Sequence, residues 1–286
     1  MRRVDMYGKS FLEVYTSCVE GVSNVAKVAG FNAAFNELEG ENDDYESLAT
    51  AESLYQIVGV KSKLEDVVRG TLTRKDLKDL YEVGMVGLGK SGRVHYDSIL
   101  LSPRFKKCPY CSLGQATTLD HYLPKCRFPQ FSVSVCNLVP SCKDCQSKKG
   151  REYASRKSMQ TLHPYFDRVA FFSDVWVRAR LIRAPNVSVE FYVDAPSAWP
   201  QAMRERAEAH FSAHNLAERF GIEAASELIS VNESCADLRA SGQFKDIEKL
   251  LERQAKGYSA NCPNSWQSAF YSALSTDGWY CSALSV

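Results

Sequence analysis

The sequence predicts an α+β fold in which two mainly helical regions flank a small β-containing unit. Apolar residues recur at helical spacing in residues 10–83 and again after Trp199, whereas residues 175–182 and 187–193 alternate apolar and polar side chains, as in a β-hairpin. Between these regions, two Cys-x-x-Cys pairs bracket a longer segment. We therefore divide the chain into a helical region of residues 1–100, a cysteine-bracketed core of residues 101–168, and a hairpin-and-helix region of residues 169–286.

The composition is that of a globular chain long enough to bury its own core. Of its 286 residues, 45% are hydrophobic and 24% are charged, which excludes wholesale disorder, collagen and coiled coil. The longest uncharged stretch, residues 258–276, is rich in Ser, Asn and Gln and contains Pro263, so it does not predict a membrane-spanning helix. Residues 1–5 lead into polar residues, so we expect no secretory signal and a cytoplasmic protein without a membrane partner.

The near-neutral net charge hides an uneven distribution. Residues 101–151 contain nine Lys or Arg against two Asp, a net charge of +7, whereas residues 1–60 contain four basic against ten acidic residues, a net of −6. Such a basic block is typical of phosphate binding and hence of nucleic-acid binding. A solvated surface loop is the alternative. Arg178, Arg180 and Arg183 on the predicted hairpin are expected to extend the basic surface.

The two cysteine pairs predict a structural zinc site. Cys108 and Cys111 form one Cys-x-x-Cys turn, and Cys142 and Cys145 form the other. Each turn can direct two thiolates at one ion, and four thiolates complete the tetrahedral set that Zn²⁺ prefers. A redox role would need only one pair and a thioredoxin-like context. The segment between the pairs is longer than in a common zinc ribbon, so it must contain structure of its own.

The segment between the pairs carries polar residues in a distinctive order. It includes Thr-Leu-Asp-His-Tyr-Leu-Pro-Lys from residue 118 and Cys-Asn-Leu-Val-Pro from residue 136. Together with the cysteines, this pattern resembles the HNH endonucleases, whose zinc-bearing members combine Cys-x-x-Cys, Asp/Glu-His-x-x-Pro and Asn-Leu-x-x-x-Cys-x-x-Cys-Asn/His-x-x-Lys. The resemblance covers residues 108–150. It implies a zinc-stabilised ββα-metal core that hydrolyses phosphodiester bonds in DNA.

The resemblance assigns a role to each polar residue of the motif. Phosphodiester hydrolysis needs a water deprotonated near neutral pH and a cation that stabilises charge on the phosphate oxygens. The resemblance makes His121 the general base and Asp120 a ligand of a catalytic Mg²⁺ or Mn²⁺. It also implies that the Asn137 amide hydrogen-bonds the imidazole and fixes its orientation. A turn-forming asparagine at the start of a strand is the alternative for Asn137.

Gln146 departs from the family pattern, which has Asn or His at this position as the second protein ligand of the catalytic ion. A Gln carbonyl oxygen can bind a cation, but the side chain is longer, neutral and costlier to order. Three alternatives follow: Gln146 binds the ion, another residue such as His163 supplies the ligand, or the nuclease is impaired. A histidine that caps a turn before Pro164 is the simpler interpretation of His163.

The leading prediction is therefore a metal-dependent HNH endonuclease that acts on DNA. Its predicted nucleic-acid contacts are the basic residues near the motif, Lys125, Lys148, Lys149 and Arg151. The alternative is a catalytically impaired zinc-ribbon module that binds nucleic acid without cutting it. The motif also looks like the HNH subunits of bacterial antiphage systems, such as Septu-type and retron-associated ones, and that likeness implies an ATPase as a partner protein.

Two further patterns are interpreted as structural. Residues 84–91 match the P-loop pattern, but a helix rather than a strand precedes them, so we predict a glycine-rich connector with a short strand over residues 84–102. His210 and His214 share one helical face but lack the glutamate that a metalloprotease needs as its base. They predict an ordinary helix surface.

Overall fold

The computed structural model describes residues 1–183 and 187–282, which fall into two compact units. The amino-terminal unit comprises Arg3–Tyr110 and Gly114–Asp167, and the carboxy-terminal unit comprises Met1–Arg2, Cys111–Leu113 and the chain from Arg168 onward. Each unit contains helices and at least one antiparallel strand pair, which confirms the α+β prediction. Across the described residues, no helix combines the length and the apolar character needed to cross a membrane.

The amino-terminal unit is mainly helical and contains two short hairpins. Its helices are α1 (Phe11–Glu20), α2 (Val25–Thr50), α3 (Arg74–Asp79), α4 (Arg93–Leu101) and α5 (Lys143–Lys149), and a π-helical segment, Leu80–Met85, continues α3. Its strands pair as β1 (Val67–Arg69) with β2 (Leu72–Thr73) and as β3 (Thr118–His121) with β4 (Leu138–Ser141). The prediction of helix up to residue 83 is wrong at β1 and β2, where Gly70 turns the chain at a φ of +52°.

Helix α1 begins where the sequence supplies a cap. The Ser10 hydroxyl accepts a hydrogen bond from the Glu13 amide at 3.2 Å, and the Glu13 carboxylate accepts one from the Ser10 amide at 2.9 Å. This reciprocal capping box satisfies amides that the first helical turn leaves without partners. The apolar residues Phe11, Val14 and Cys18 recur at helical spacing, so α1 buries one face.

A single hydrophobic core joins the helices of this unit to the β3–β4 pair. Leu119, Val133, Val135 and Leu138 belong to the same buried cluster as the apolar faces of α1, α2, α3 and the π-helical segment. The boundary that we place near residue 100 therefore falls within one core. This continuity matters for the site, because helices that precede the cysteine-bracketed segment can contribute side chains to it.

The glycines in and beside the P-loop pattern allow backbone segments to pack closely together. A Cβ atom on Gly84 would lie 2.5 Å from the Cys18 carbonyl oxygen, and one on Gly92 would lie 2.5 Å from the Gly84 carbonyl oxygen. Lys90 donates to the Gly21 carbonyl oxygen at 2.9 Å. The short strand predicted over residues 84–102 is wrong, because helix α4 occupies this stretch and buries His95 and Ile99. Glycine is needed here for close approach of backbones.

The carboxy-terminal unit packs a hairpin against helices. Its helices are α6 (Ala170–Ser173), α7 (Gln201–Ala213), α8 (Leu216–Ser234), α9 (Ala236–Ala240), α10 (Phe244–Asn261), α11 (Trp266–Thr276) and α12 (Gly278–Ser282). Strand β5 (Val177–Ile182) pairs antiparallel with β6 (Ser188–Val193), which confirms the predicted hairpin, and residues 184–186 lie outside the described part of the chain. Strand β5 packs on α11 and β6 on α8.

The hairpin arginines are exposed and partly neutralised, because each lies near a carboxylate: Arg178 is 3.8 Å from Asp194, Arg180 is 2.6 Å from Glu190, and Arg183 is 3.0 Å from Asp277. The prediction of an exposed histidine pair on α7 is wrong. His210 and His214 are fully buried rather than exposed, with their ring centroids 4.6 Å apart. The helical face that they share is the face that α7 buries together with Phe211.

Tyr45 links α2 to the segment before β4, and it offers a test of the amino-terminal unit. Its buried hydroxyl donates to the Asn137 Oδ1 atom at 3.1 Å. We expect Tyr45→Phe to lower the free energy of unfolding by about 1–2 kcal/mol, because a buried amide oxygen loses a donor. Denaturant unfolding of the variant and of the exposed control Tyr192→Phe measures this. Equal stability of the two variants would show that the hydrogen bond is energetically silent.

Candidate metal centre and catalytic cleft

The four cysteines of the two Cys-x-x-Cys turns form one buried cluster. The Sγ atoms of Cys108, Cys111, Cys142 and Cys145 all lie within 4.8 Å of one another. Backbone amides donate to two of them, from Leu113 to Cys111 at 3.4 Å and from Cys145 to Cys142 at 3.5 Å. Such donors favour the thiolate form that binds metal. The donor set and its spacing fit a tetrahedral zinc ion, and these residues could hold one.

The chain between the cysteine turns forms a hairpin that leads directly into a helix. In the β3–β4 pair, Asp120 lies opposite Val139 and His121 lies opposite Leu138. Cys142 then caps α5 through its Sγ atom. Pro140 is tolerated within β4 because both strands of a two-stranded sheet are edge strands. The order is strand, strand, helix, and both residues of the Asp-His pair lie at the end of β3.

Asp120 is a buried carboxylate with two donors on one oxygen. Its Oδ2 atom accepts from the Tyr110 hydroxyl at 3.1 Å and lies 3.0 Å from the Lys149 ammonium. Lys149 also donates to the backbone carbonyl of His121 at 2.6 Å. Burial raises the pKa of Asp120 above its usual range, and the Lys149 charge and the two hydrogen bonds oppose that rise. Lys149 therefore holds the Asp120 carboxylate and the His121 backbone together.

His121 is held in one tautomer by the backbone. Its Nε2 atom lies 2.8 Å from the Ser132 carbonyl oxygen. Because a carbonyl only accepts, Nε2 carries the proton and Nδ1 carries the lone pair. The ring of Tyr81, from the π-helical segment, packs edge-on against the imidazole with 4.5 Å between centroids. Burial lowers the pKa of His121 to about 3, and the charges of Lys125 and Lys149 add to this effect, so the imidazole is neutral at physiological pH.

Gln146 is anchored to β3 by its amide nitrogen. The Nε2 atom donates to the Leu119 carbonyl oxygen at 3.1 Å. Because that carbonyl can only accept, the amide is oriented with nitrogen toward the strand, and Oε1 is left available for a cation. The residue lies on the first turns of α5, next to the strand that carries Asp120. Gln146 and Asp120 line the same cleft.

These residues line one cleft of about 250 Å³ in the amino-terminal unit. Its lining consists of Lys78, Asp120, His121, Pro124, Lys125, Cys126, Gln146, Gly150 and Arg151. Of the predicted nucleic-acid contacts, Lys125 and Arg151 line the cleft, Lys148 is exposed beside it, and Lys149 is buried. Lys125 also pairs with Glu82 at 2.6 Å and lies over the Tyr81 ring. The cleft is therefore small, polar and mostly positively charged.

Asn137 occupies a different position from the one that the family resemblance implies. Its Oδ1 atom accepts from the Leu123 amide at 2.7 Å, and its Nδ2 atom donates to the carbonyl oxygens of Leu123 and Phe131 at 3.1 and 3.2 Å. The expected hydrogen bond to the His121 imidazole is wrong, because Ser132 supplies that contact. Asn137 instead ties together the two ends of the loop that follows His121.

His163 is buried away from the cleft lining. Its Nδ1 atom accepts from the Tyr165 amide at 3.3 Å, so Nε2 carries the proton and faces the Tyr45 hydroxyl at 3.2 Å. The structure does not bring His163 to Asp120, and its predicted use as a substitute ligand gains no support.

Four residues that line or contact the candidate site are not indicated by the motif. Lys78 and Tyr81 come from α3 and the π-helical segment, far from the motif in sequence. Tyr110 lies inside the first cysteine turn, and Ser132 contributes only its backbone. Of these, Tyr110 alone carried a usable signal, because a large residue between two clustered cysteines must pack close to that cluster.

Two curated proteins are similar to the chain. It is 29% identical over 287 residues to protein ea31 of Escherichia phage lambda. This alignment spans 96% of this chain and 97% of that protein. It is 36% identical over 64 residues to Septu protein PtuB of Bacillus thuringiensis. This alignment spans 21% of this chain and 25% of that protein. No protein-family model and no solved structure matches the chain. The predicted likeness to Septu-type proteins is thus supported over part of the chain.

We expect purified protein to contain about one zinc ion per chain, because four thiolates form a closed site. Cys108→Ser and Cys145→Ser should each lose zinc and stability together, and Cys126→Ser, outside the cluster, should keep both. Elemental analysis and thermal unfolding measure these outcomes. Metal-free protein with Cys111 and Cys142 joined in a disulfide would rule out the zinc site.

Proposed function

We propose that the chain is a metal-dependent endonuclease of the HNH type that hydrolyses DNA. The observation that carries this proposal is the convergence of Asp120, His121 and Gln146 on one basic cleft, through a hairpin and a helix bracketed by four clustered cysteines. Carboxylate, imidazole and cations are the groups that phosphodiester hydrolysis requires. The strand-strand-helix order supports the ββα-metal assignment.

The cleft residues fit a hard divalent cation. The Asp120 carboxylate and the Gln146 Oε1 atom are oxygen donors, which Mg²⁺ and Mn²⁺ prefer. Only two protein oxygens would hold the ion, and Mg²⁺ is commonly bound by one or two carboxylates with substrate phosphates completing the set. A bound divalent ion would stabilise negative charge on the phosphate and on the leaving oxygen.

His121 would act as the general base. Its Nδ1 atom carries the lone pair, because Nε2 is committed to the Ser132 carbonyl at 2.8 Å, so Nδ1 would accept the proton of the attacking water. A base with a pKa of about 3 is weak. A divalent ion held by Asp120 and Gln146 would lower the pKa of the attacking water, which reduces the basicity that His121 must supply. Tyr81 and Ser132 would keep the ring from turning away.

The basic residues around the cleft would hold the DNA backbone. Lys78, Lys125 and Arg151 line the cleft, and Lys148 lies exposed on the last turn of α5. Contacts of this kind give affinity that does not depend on base sequence and that falls steeply with salt.

A zinc-bearing module that binds DNA without cutting it is the second candidate. One observation favours it: the Lys149 ammonium lies 3.0 Å from the carboxylate that would bind the catalytic ion. The two candidates share the zinc site and the basic surface, so a cleavage assay separates them.

The biological setting of the proposal rests on the partial likeness to Septu protein PtuB, which covers 64 residues. We propose a role in antiphage defence beside a partner protein, with an ATPase as the class of partner that the motif resemblance implies. The similarity over nearly the whole chain is to a phage protein, so only the partial likeness supports the defence role.

Removal of the base should abolish cleavage and leave DNA binding intact. We expect His121→Ala to lower the cleavage rate by at least about 100-fold, because a positioned general base contributes that much or more. Fluorescence anisotropy should find DNA affinity within about twofold of wild type, since the phosphate-binding cations remain. His95→Gln, a buried histidine outside the cleft lining, is the matched control and should cut normally. Wild-type cleavage by His121→Ala would refute the assignment.

The metal requirement should depend on the side chain at position 146. We expect Gln146→Ala to raise the Mg²⁺ concentration for half-maximal cleavage by about tenfold, because the ion loses a protein oxygen. Gln146→Asn and Gln146→His should lower it by restoring the family's ligand. His163→Ala should leave the requirement unchanged, since its ring is held by Tyr45 and Tyr165. If Gln146→Ala left the Mg²⁺ requirement unchanged and His163→Ala raised it strongly, the ligand would be His163 and not Gln146.

A further inference from the structure

Lys149 is an unusual lysine for its position in the chain. It lies in the last turn of a seven-residue helix, where lysines are normally exposed, yet only 6% of it is accessible to solvent. Its ammonium contacts the Asp120 carboxylate at 3.0 Å and the His121 carbonyl oxygen at 2.6 Å. The neighbouring Lys148 is exposed. A buried ammonium in contact with both residues of the Asp-His pair must affect how that pair binds other cations.

The charges of the cleft oppose a divalent ion in the free protein. Lys149 pairs with Asp120, the one carboxylate among the described lining residues, while Lys78 and Arg151 add positive charge and Lys125 is paired with Glu82. Gln146 contributes an oxygen without charge. An ion that entered this cleft alone would meet a neutralised ligand and several cations, and these interactions are strong where water is excluded.

A phosphate changes this balance. It brings negative charge and oxygen ligands for the ion, and it offers the Lys149 ammonium an acceptor other than Asp120. Both effects free the carboxylate for the incoming cation. Linkage then requires that the ion strengthens phosphate binding by the same factor by which phosphate strengthens ion binding.

We propose that Lys149 is an internal counter-ion that keeps Asp120 from binding a divalent ion tightly until a nucleic-acid phosphate enters the cleft. The proposal rests on the proposed function for the identity of the site, and it adds an order of binding, with the phosphate before the ion. Lys149 is thus a positioning residue that acts through Asp120.

The test measures Mn²⁺ binding to the zinc-loaded full-length protein by calorimetry, in the absence of DNA. We expect Lys149→Gln to lower the Mn²⁺ dissociation constant by about tenfold, because Mn²⁺ no longer competes with the ammonium for the Asp120 carboxylate. Lys143→Gln makes the same change of charge at an exposed position in the first turn of α5. It should change the constant by less than about twofold, because exposed charges are screened.

A second arm uses a short DNA duplex in the His121→Ala background, so that the DNA is not cut. With the lysine present, the duplex should tighten Mn²⁺ binding by more than about tenfold, and Lys149→Gln should shrink this effect. This comparison with and without DNA needs no substitution at position 149 and so stays informative if Lys149→Gln fails to retain zinc. Equal Mn²⁺ affinity with and without DNA would overturn the proposal, and so would Mn²⁺ binding by folded Lys149→Gln that equals or falls below that of wild type.

The binding measurements are separate from cleavage. Tight Mn²⁺ binding by Lys149→Gln in a protein that never cuts DNA would support the counter-ion and refute the nuclease. Loss of cleavage in His121→Ala together with unchanged Mn²⁺ affinity in Lys149→Gln would support the nuclease and refute the counter-ion.

Discussion

The cluster of four cysteine thiols is the constraint on which the rest of the candidate site depends. Strands β3 and β4 have four residues each, and a hairpin of this length is not stable alone. One cysteine turn carries Tyr110 to the Asp120 carboxylate, and the other caps helix α5, which carries Gln146 and Lys149. A shared metal ion would bring the two turns together and fix the hairpin and the helix at once.

Burial of polar groups is the second constraint. Asp120, His121, Asn137 and Lys149 are all buried, and each has hydrogen-bonding partners. Unpaired polar groups at these depths would cost several kcal/mol in total, so the partners determine a single arrangement. The same burial explains why the pKa of Asp120 is raised and that of His121 is lowered. The site is held in place before any ligand arrives, and its charge state will respond to the charge of that ligand.

The motif does not make the site alone. Helices that precede it in sequence supply Lys78 to the cleft lining, Tyr81 to the imidazole and Tyr45 to Asn137. Tyr81 belongs to a π-helical segment, a rare irregularity that is frequent at functional sites. The resemblance to a nuclease family covers residues 108–150, yet the unit that holds the cleft begins at Arg3. The remaining helices therefore belong to the site's architecture.

The sequence by itself determined the features that depend on local spacing. The Cys-x-x-Cys turns specify the cysteine cluster, the alternating pattern specifies the β5–β6 hairpin, and the motif brings Asp120, His121 and Gln146 to one cleft, because these groups lie in neighbouring elements of one short segment. Only the tertiary structure decided the partners of those groups. Ser132 replaces Asn137 at the imidazole, and Lys149 turns inward to Asp120 although its neighbour Lys148 is exposed. Glycines that match a P-loop serve close packing. These outcomes depend on contacts between residues that are far apart in sequence. Local spacing and side-chain chemistry do not specify such contacts.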